Sequence, residues 1–317
     1  MKIFITGGTG FVGREIIRQL HEEGRTIRLL VRNPDSEPVQ EITSRYRVEL
    51  HVGNVLDAAS LERAMEGMHA VIHLVGIISE IGANTFENIH DIGTQNILAA
   101  TREAGIERFV HMSALGVRPA SASRYHQSKW AAEEAVRQSD LDYTIFRPSL
   151  IYGPDDQFVN LFARISRFSP IIPILADDRS HFQPVAVETV ATAFVRSVAE
   201  PKSISETYDL CGPESLSLSQ IVDEICAALG RKRLKLRLPL AIARCQAAFL
   251  EFVFPRLFRK PAPLNRDQLI MLHEDNLGNP QPANDLFRLE ALPFRAGIAR
   301  YLNNKASEAV TRQSRTP

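Results

Sequence analysis

The sequence predicts an α/β fold, a doubly wound parallel sheet with a smaller, mainly helical C-terminal lobe. Three observations predict it. Short apolar runs alternate with helix-like segments through the first half, three glycines punctuate the first junction, and the second half turns proline-rich and helical. The apolar runs are 3–5, 27–31, 48–52, 70–75, 109–112 and 143–146, each short enough for a strand buried on both faces. Between the first two, Phe11, Val12, Ile16, Ile17 and Leu20 fall at helical spacing. A seventh run, Glu206 to Leu210, arrives only after other elements, so its strand is expected to rejoin the first sheet. This gives a dinucleotide-binding domain over 1–151, a smaller substrate or partner lobe over 152–303, and a polar, disordered tail over 304–317. Within the lobe, Ser217 reads as a helix N-cap with Gln220 at capping-box spacing, and Gly230 as the stop.

Composition sets the outer limits. The chain has 317 residues, 44% hydrophobic and 23% charged, with a formal net charge of zero. A packed globular protein follows, and the charge balance gives no whole-chain reason to bind nucleic acid. Cys211, Cys226 and Cys245 lack both an even count and metal-ligand spacing. A reduced, cytoplasmic setting without a metal site is the expectation. With Lys2-Ile3-Phe4-Ile5 opening directly on a strand-like run, no secretory signal is expected, and no run approaches the roughly 20 apolar residues of a membrane span.

The glycines carry the first functional inference. Ile5 to Leu20 reads ITGGTGFVGREIIRQL. Gly7 can take backbone angles closed to other residues, Gly10 lets a pyrophosphate approach the chain, and Gly13 lets the helix lie tight on the sheet. Amides of the turn and first helical residues, with Thr9, Phe11 and Val12, would then face the phosphates. A Rossmann dinucleotide site is predicted. Arg32 stands at the end of the second run, where an acidic residue would repel a 2′-phosphate. A guanidinium suits that phosphate, so NADP(H) is favoured, with NAD(H) left open. Val75 and Gly76, at the end of the fourth run, are further candidates for the coenzyme site.

The Thr6-Gly7-x-x-Gly10-x-x-Gly13 spacing resembles the short-chain dehydrogenase/reductase superfamily in its extended and atypical branches. The 53–57 segment resembles that superfamily's adenine-contact loop, with Asn54 in place of the usual aspartate and Val55 beside it. Tyr125 and Lys129 stand four apart, on one face of a predicted helix, so the ammonium is expected to lower the tyrosine pKa. With Ser113 at the end of the fifth run, they match the superfamily's Ser/Tyr/Lys triad. That match implies proton transfer by Tyr125, ribose binding and tuning by Lys129, and carbonyl orientation by Ser113. The same residues could hold the coenzyme without turnover. Arg147 to Pro154 resembles a segment of nucleotide-sugar epimerases and dehydratases, which implies that Pro148, Ser149 and Ile151 run beside the nicotinamide. His90 departs from the extended branch, which has asparagine there, and is expected to be a helix residue bonded locally.

Four later stretches, at 152–165, 182–194, 208–222 and 263–277, narrow the resemblance. They look like the family of the NADPH-binding accessory subunit of respiratory complex I and its bacterial, epimerase-like relatives, in order over nearly all of 1–303. That resemblance implies an NADPH-dependent oxidoreductase linked to quinone or respiratory-chain metabolism, acting on a small molecule, with apolar ones among the candidates. Its alternatives are a non-catalytic accessory subunit holding NADPH, or a nucleotide-sugar epimerase or dehydratase.

Residues 231–260 hold nine Lys/Arg and one acid, Glu251. Leu240, Ala243, Ala247, Leu250 and Phe254 fall at helical spacing there, and Phe249, Phe252, Val253 and Phe258 widen the apolar face. The stretch could rest on the inner membrane or a respiratory complex, roof a substrate pocket, or pack on the first domain.

Overall fold

The computed structural model describes residues 1–175, 179–258 and 261–302. The predicted tail at 304–317 and the last two basic residues of the 231–260 run lie outside them.

Strand β1 (Lys2–Thr6) leads into helix α1 (Phe11–Glu22), then β2 (Thr26–Val31), α2 (Glu37–Arg45), β3 (Glu49–Val52) and β4 (Ala70–His73). Helix α3 (Gly93–Glu103), β5 (Arg108–Met112), α4 (Arg124–Arg137) and β6 (Asp142–Pro148) complete the first half. Apart from the edge strand β3, whose Leu50 and Val52 are exposed, these apolar runs become strands because their side chains are buried on both faces of a parallel sheet. In β1, Ile3 and Ile5 enter one layer while Phe4 enters the other.

The lobe opens with β7 (Ile151–Tyr152), α5 (Phe158–Phe168), β8 (Ile171–Leu175), β9 (His181–Phe182) and β10 (Val185–Ala186). Helix α6 (Val187–Ser197) then returns to the sheet and packs on α1. Strand β11 (Glu206–Leu210) is the predicted seventh strand, and it pairs parallel with β6 from Glu206↔Thr144 to Leu210↔Pro148. The sheet order is β3-β2-β1-β4-β5-β6-β11, all parallel, with its reversal beside β1. Ligands of such sheets bind at that reversal, beyond the carboxyl ends of the strands.

Two buried layers flank the sheet. One joins Ile5, Ile16, Leu29, Ile72, Phe146 and Phe194 under α1 and α6, and the other joins Phe4, Val71, Phe109, Ile145 and Ile97 under α3. A separate core, built on Tyr152, Val159, Phe182, Ile221 and Phe294, serves the lobe. The lobe continues with β12 (Leu216–Ser217), α7 (Leu218–Ala228), β13 (Leu234–Leu238), α8 (Leu240–Val253), α9 (Arg266–Met271) and α10 (Gln281–Phe287). The Ser217/Gln220 capping box forms at the start of α7, and Gly230, with φ +64, follows its end.

Candidate functional site

The β1–α1 turn is built as its glycines require. Gly7 adopts φ +73, in the left-handed region, and a Cβ there would lie 3.0 Å from the backbone at Leu74 and Val75. A Cβ on Gly13 would lie 2.6 Å from Gly7 O and from Gly8 Cα, so only glycine lets α1 pass this close to the turn. Gly10 is the N-cap of α1 and brings no side chain to its first-turn amides. The turn thus offers a concave row of N–H groups at the positive end of a helix, the donor set that a pyrophosphate needs. Thr9 and Phe11 are half-buried on its rim, and Val12 is buried beneath it.

Arg32 follows directly on β2, exposed, and pairs with no described residue. Asn54 holds its own loop, since its Oδ1 accepts from Leu56 N at 3.1 Å and its N–H donates to Ser60 Oγ at 2.9 Å. Val55 is buried under that loop, and its carbonyl accepts from Asn96 at 2.8 Å. Val75 and Gly76 leave the tip of β4 half-buried and exposed respectively. Pro148 ends β6, Ile151 opens β7, and Ser149 between them donates to Asn276 Oδ1 at 2.5 Å.

Lys129 and Ser113 meet at the end of β5. Lys129 is buried on α4, and its ammonium donates to the carbonyl of Met112, the residue before Ser113. Ser113 is buried and its N–H donates to Phe146 O at 2.7 Å. Tyr125 lies one turn before Lys129, edge-on to the His90 ring at 5.4 Å. Burial pushes the Lys129 amine down to about 8, against the pull of Glu133, so it stays largely protonated at neutral pH.

The expected lowering of the Tyr125 pKa does not occur in this state. Burial, with the Asp267 carboxylate adding to it, pushes the phenol up to about 12. The Lys129 charge is spent on the Met112 carbonyl and on Glu133, not on the phenol. Glu133 is itself fully buried, held by Arg147 at 2.6 Å and Arg137 at 2.5 Å. Burial alone would raise this carboxyl, but the donors of Arg147 and Arg137 hold it below its ordinary value. Both guanidinium groups lie over the Trp130 ring.

His90 is not bonded locally, as the sequence suggested. It sits in a turn of π-helix at Glu87–Ile92, a widening that turns its ring inward. Its Nε2 accepts from Ile77 N at 3.0 Å, so the proton is on Nδ1, which donates to Ser128 Oγ at 2.8 Å. Ser128 in turn donates to Tyr125 O. Behind it lies a second relay. The Thr94 hydroxyl donates to His90 O at 2.5 Å, so His73 Nε2 donates to Thr94 Oγ1 and His73 Nδ1 accepts from Thr6. The two relays meet at His90 and link the end of β1 to the Tyr125 backbone, while Ile77, just after Val75 and Gly76, donates to the His90 ring from the side.

Asp267, near the start of α9, accepts from Ser123 Oγ at 2.7 Å, Arg124 N at 2.8 Å and Tyr125 N at 3.2 Å, capping α4 from a distant part of the chain. Asn265 donates to Ile78 O and Ser79 Oγ. A cavity of about 550 Å³ opens here, lined by Phe86, Arg124, Arg244, Pro255 and Asp267. No periodicity or short motif signals His90, Glu133 or Asp267. The nearest sign was the departure of His90 from asparagine.

Comparison with known proteins agrees with this geometry. Residues 7–167 match a family model described as NAD(P)H-binding. The chain is 33% identical over 239 residues to a ceramide reductase of Caulobacter vibrioides, covering 75% of this chain and 73% of that protein. It is 29% identical over 285 residues to the mitochondrial NADH dehydrogenase (ubiquinone) 1 alpha subcomplex subunit 9 of Arabidopsis thaliana, covering 86% and 70%. Among solved structures, the UDP-glucuronic acid 4-epimerase of Bacillus cereus with UDP-glucuronic acid and NAD superposes with a TM-score of 0.71 at 18% identity, covering 96% and 99%. The glycine turn, the seven-stranded sheet and these matches agree that the chain belongs to the NAD(P)H-binding family, on a short-chain-dehydrogenase-like fold.

Proposed function

We propose that this chain is an NADPH-dependent oxidoreductase that reduces the carbonyl of an apolar molecule linked to quinone or respiratory-chain metabolism. The observation that carries the reading is Tyr125 and the buried Lys129 one helical turn apart on α4, with the ammonium held at the end of β5, two strands from the glycine turn. The turn fits a dinucleotide because the Cβ atoms missing at Gly7 and Gly13 would fill the space under it. Unpaired Arg32 favours the 2′-phosphorylated coenzyme. Bound NADPH supplies hydride. Tyr125, a neutral phenol well above pH 7, is in the state to donate a proton to the oxygen that becomes a hydroxyl. Lys129, fixed on the Met112 carbonyl, orients the ribose and keeps a positive charge near the developing alkoxide. Ser113 orients the carbonyl oxygen. The ceramide reductase relative supports reduction, and the NADH dehydrogenase subunit relative supports a place beside the respiratory chain.

The test follows NADPH absorbance with quinone precursors, long-chain ketones and nucleotide sugars, comparing wild type with Tyr125→Phe. A carbonyl substrate should be turned over, and the variant should lose about a hundredfold or more in kcat while binding NADPH as before. A variant as fast as wild type would remove Tyr125 from the chemistry. Tight NADPH binding with no turnover across the panel would instead mark a non-catalytic holder of the coenzyme.

A further inference from the structure

Helix α8 is apolar on two opposite sides. Its inner stripe is small: Ala243 and Ala247 are buried with Leu175 and Leu269 in a minor core. Its outer stripe is large, with Ile242, Phe249 and Phe252 at 54%, 65% and 60% exposure, and Arg256 one turn further on lies 3.9 Å over the Phe252 ring. Leu257 and Phe258 extend the exposed apolar surface. A helix that presents phenylalanine to water and alanine to its own core is built to be covered from outside.

Charge identifies the cover. Among the described residues of 231–258, seven are Lys or Arg and one is acidic, in a chain whose net charge is zero. That acid, Glu251, points away from the outer stripe and pairs with Arg266 at 2.7 Å. Immediately before α8, β13 exposes Leu234 at 73% beside Arg231, Lys232 and Arg237. Exposed phenylalanine and leucine flanked by arginine and lysine match an anionic lipid interface, where apolar side chains enter the acyl boundary and cations meet headgroups. No described helix is long and apolar enough to cross a membrane, so contact would be along the surface. The same helix supplies Arg244, and the turn that follows it supplies Pro255, to the wall of the cavity beside Arg124 and Phe86, and Phe86 packs against Tyr125.

We propose that the outer stripe of α8, with the basic run before it, lies flat on an anionic phospholipid bilayer. There it opens the adjoining cavity to an apolar carbonyl substrate dissolved in the membrane. The substrate half of this proposal rests on the reductase reading, whereas the docking half does not.

The full-length protein is tested by co-sedimentation with phosphatidylcholine vesicles, with and without about a third phosphatidylglycerol, at low and high salt. Binding is expected to the anionic vesicles, weakening as salt rises. Phe249→Ser/Phe252→Ser alters only exposed side chains, and it should weaken binding by about tenfold or more while coenzyme binding and the circular dichroism spectrum stay unchanged. Wild type that ignores anionic vesicles, or a double variant that binds as well as wild type, overturns the proposal. So does a dimer in solution that the double variant converts to monomer without any vesicle binding, since a second copy would then be the cover. Vesicle binding is read without substrate, so absent turnover leaves docking standing, while turnover with no binding overturns docking alone. If both hold, substrate presented in anionic vesicles should be reduced at least several-fold faster by wild type than by the double variant, with equal rates in detergent.

Discussion

Arg32 and Tyr125 each owe their proposed role to what does not neutralise them. Arg32 stands exposed after β2 with no described carboxylate in reach, whereas Arg14, on α1, is tied to Glu41 at 3.0 Å. A free guanidinium at this strand end can form forked, charge-assisted hydrogen bonds to a 2′-phosphate, each about twice as strong as a neutral one. Arg32→Ala should therefore weaken NADPH by roughly tenfold to a hundredfold and leave NADH nearly unchanged. Calorimetry with both coenzymes checks this, and an equal loss for the two would show that Arg32 does not read the phosphate. For Tyr125 the missing partner is an exposed cation. With Lys129 committed to Met112 and Glu133, burial keeps the phenol protonated, which suits donation during reduction better than abstraction during oxidation.

Helix α4 shows how one element is held for chemistry by another far along the chain. Ser123 is its N-cap, yet Asp267 takes three further hydrogen bonds at the same end. A carboxylate at a helix N-terminus also stabilises the dipole, and here it raises the Tyr125 pKa through its charge. Asp267→Asn should cost about 1 to 2 kcal/mol in denaturant unfolding and move the alkaline limb of the pH–rate profile to lower pH. A profile that keeps its limb would separate Asp267 from the phenol. What could be read in the sequence divides along the same line. The glycine turn, the seven strands and the Ser217/Gln220 box are local patterns, and local spacing states them. Asp267 and Tyr125 are 142 positions apart, and the His90 bonds span 13 and 38, so only the folded chain shows them. Helix α8 is the mixed case. Its inner stripe was visible at helical spacing, but Phe249 and Phe252 do not widen that stripe. They form a second one on the opposite side, because the turns between them carry them round.

At the scale of the whole molecule, three histidines buried under α3 and α4 tie folding to pH. Burial, with the Lys129 charge adding to it, pushes His73 down to about 3 and His90 to about 2, and holds His111 well below its ordinary value. His73 and His111 stack at 5.5 Å between paired positions of β4 and β5. Unfolded, all three regain an imidazole pKa near about 6.5. Above that pH neither state binds their protons, and they contribute no pH dependence. Below it the unfolded chain takes up protons that the native core refuses. Stability then falls as pH drops, by up to about 1.4 kcal/mol per pH unit for each histidine, until the native values are reached. Lys129 does not interfere, since its depressed pKa acts between about 10.5 and 8. His126, lowered by burial, adds to the trend, and Asp156 and Asp209, pushed up by burial, oppose it, but comparing wild type with one variant cancels all three. Between pH 7.5 and 5.5 His73, His90 and His111 together should remove about 4 kcal/mol, read as a fall in the urea midpoint. His90→Asn keeps a side-chain acceptor and donor in the turn and should lower that pH dependence by about a third. If the variant keeps the full wild-type dependence, His90 is not excluding a proton from the core, and the hydrogen bonds between Ile77 and Ser128 do not need its neutral ring.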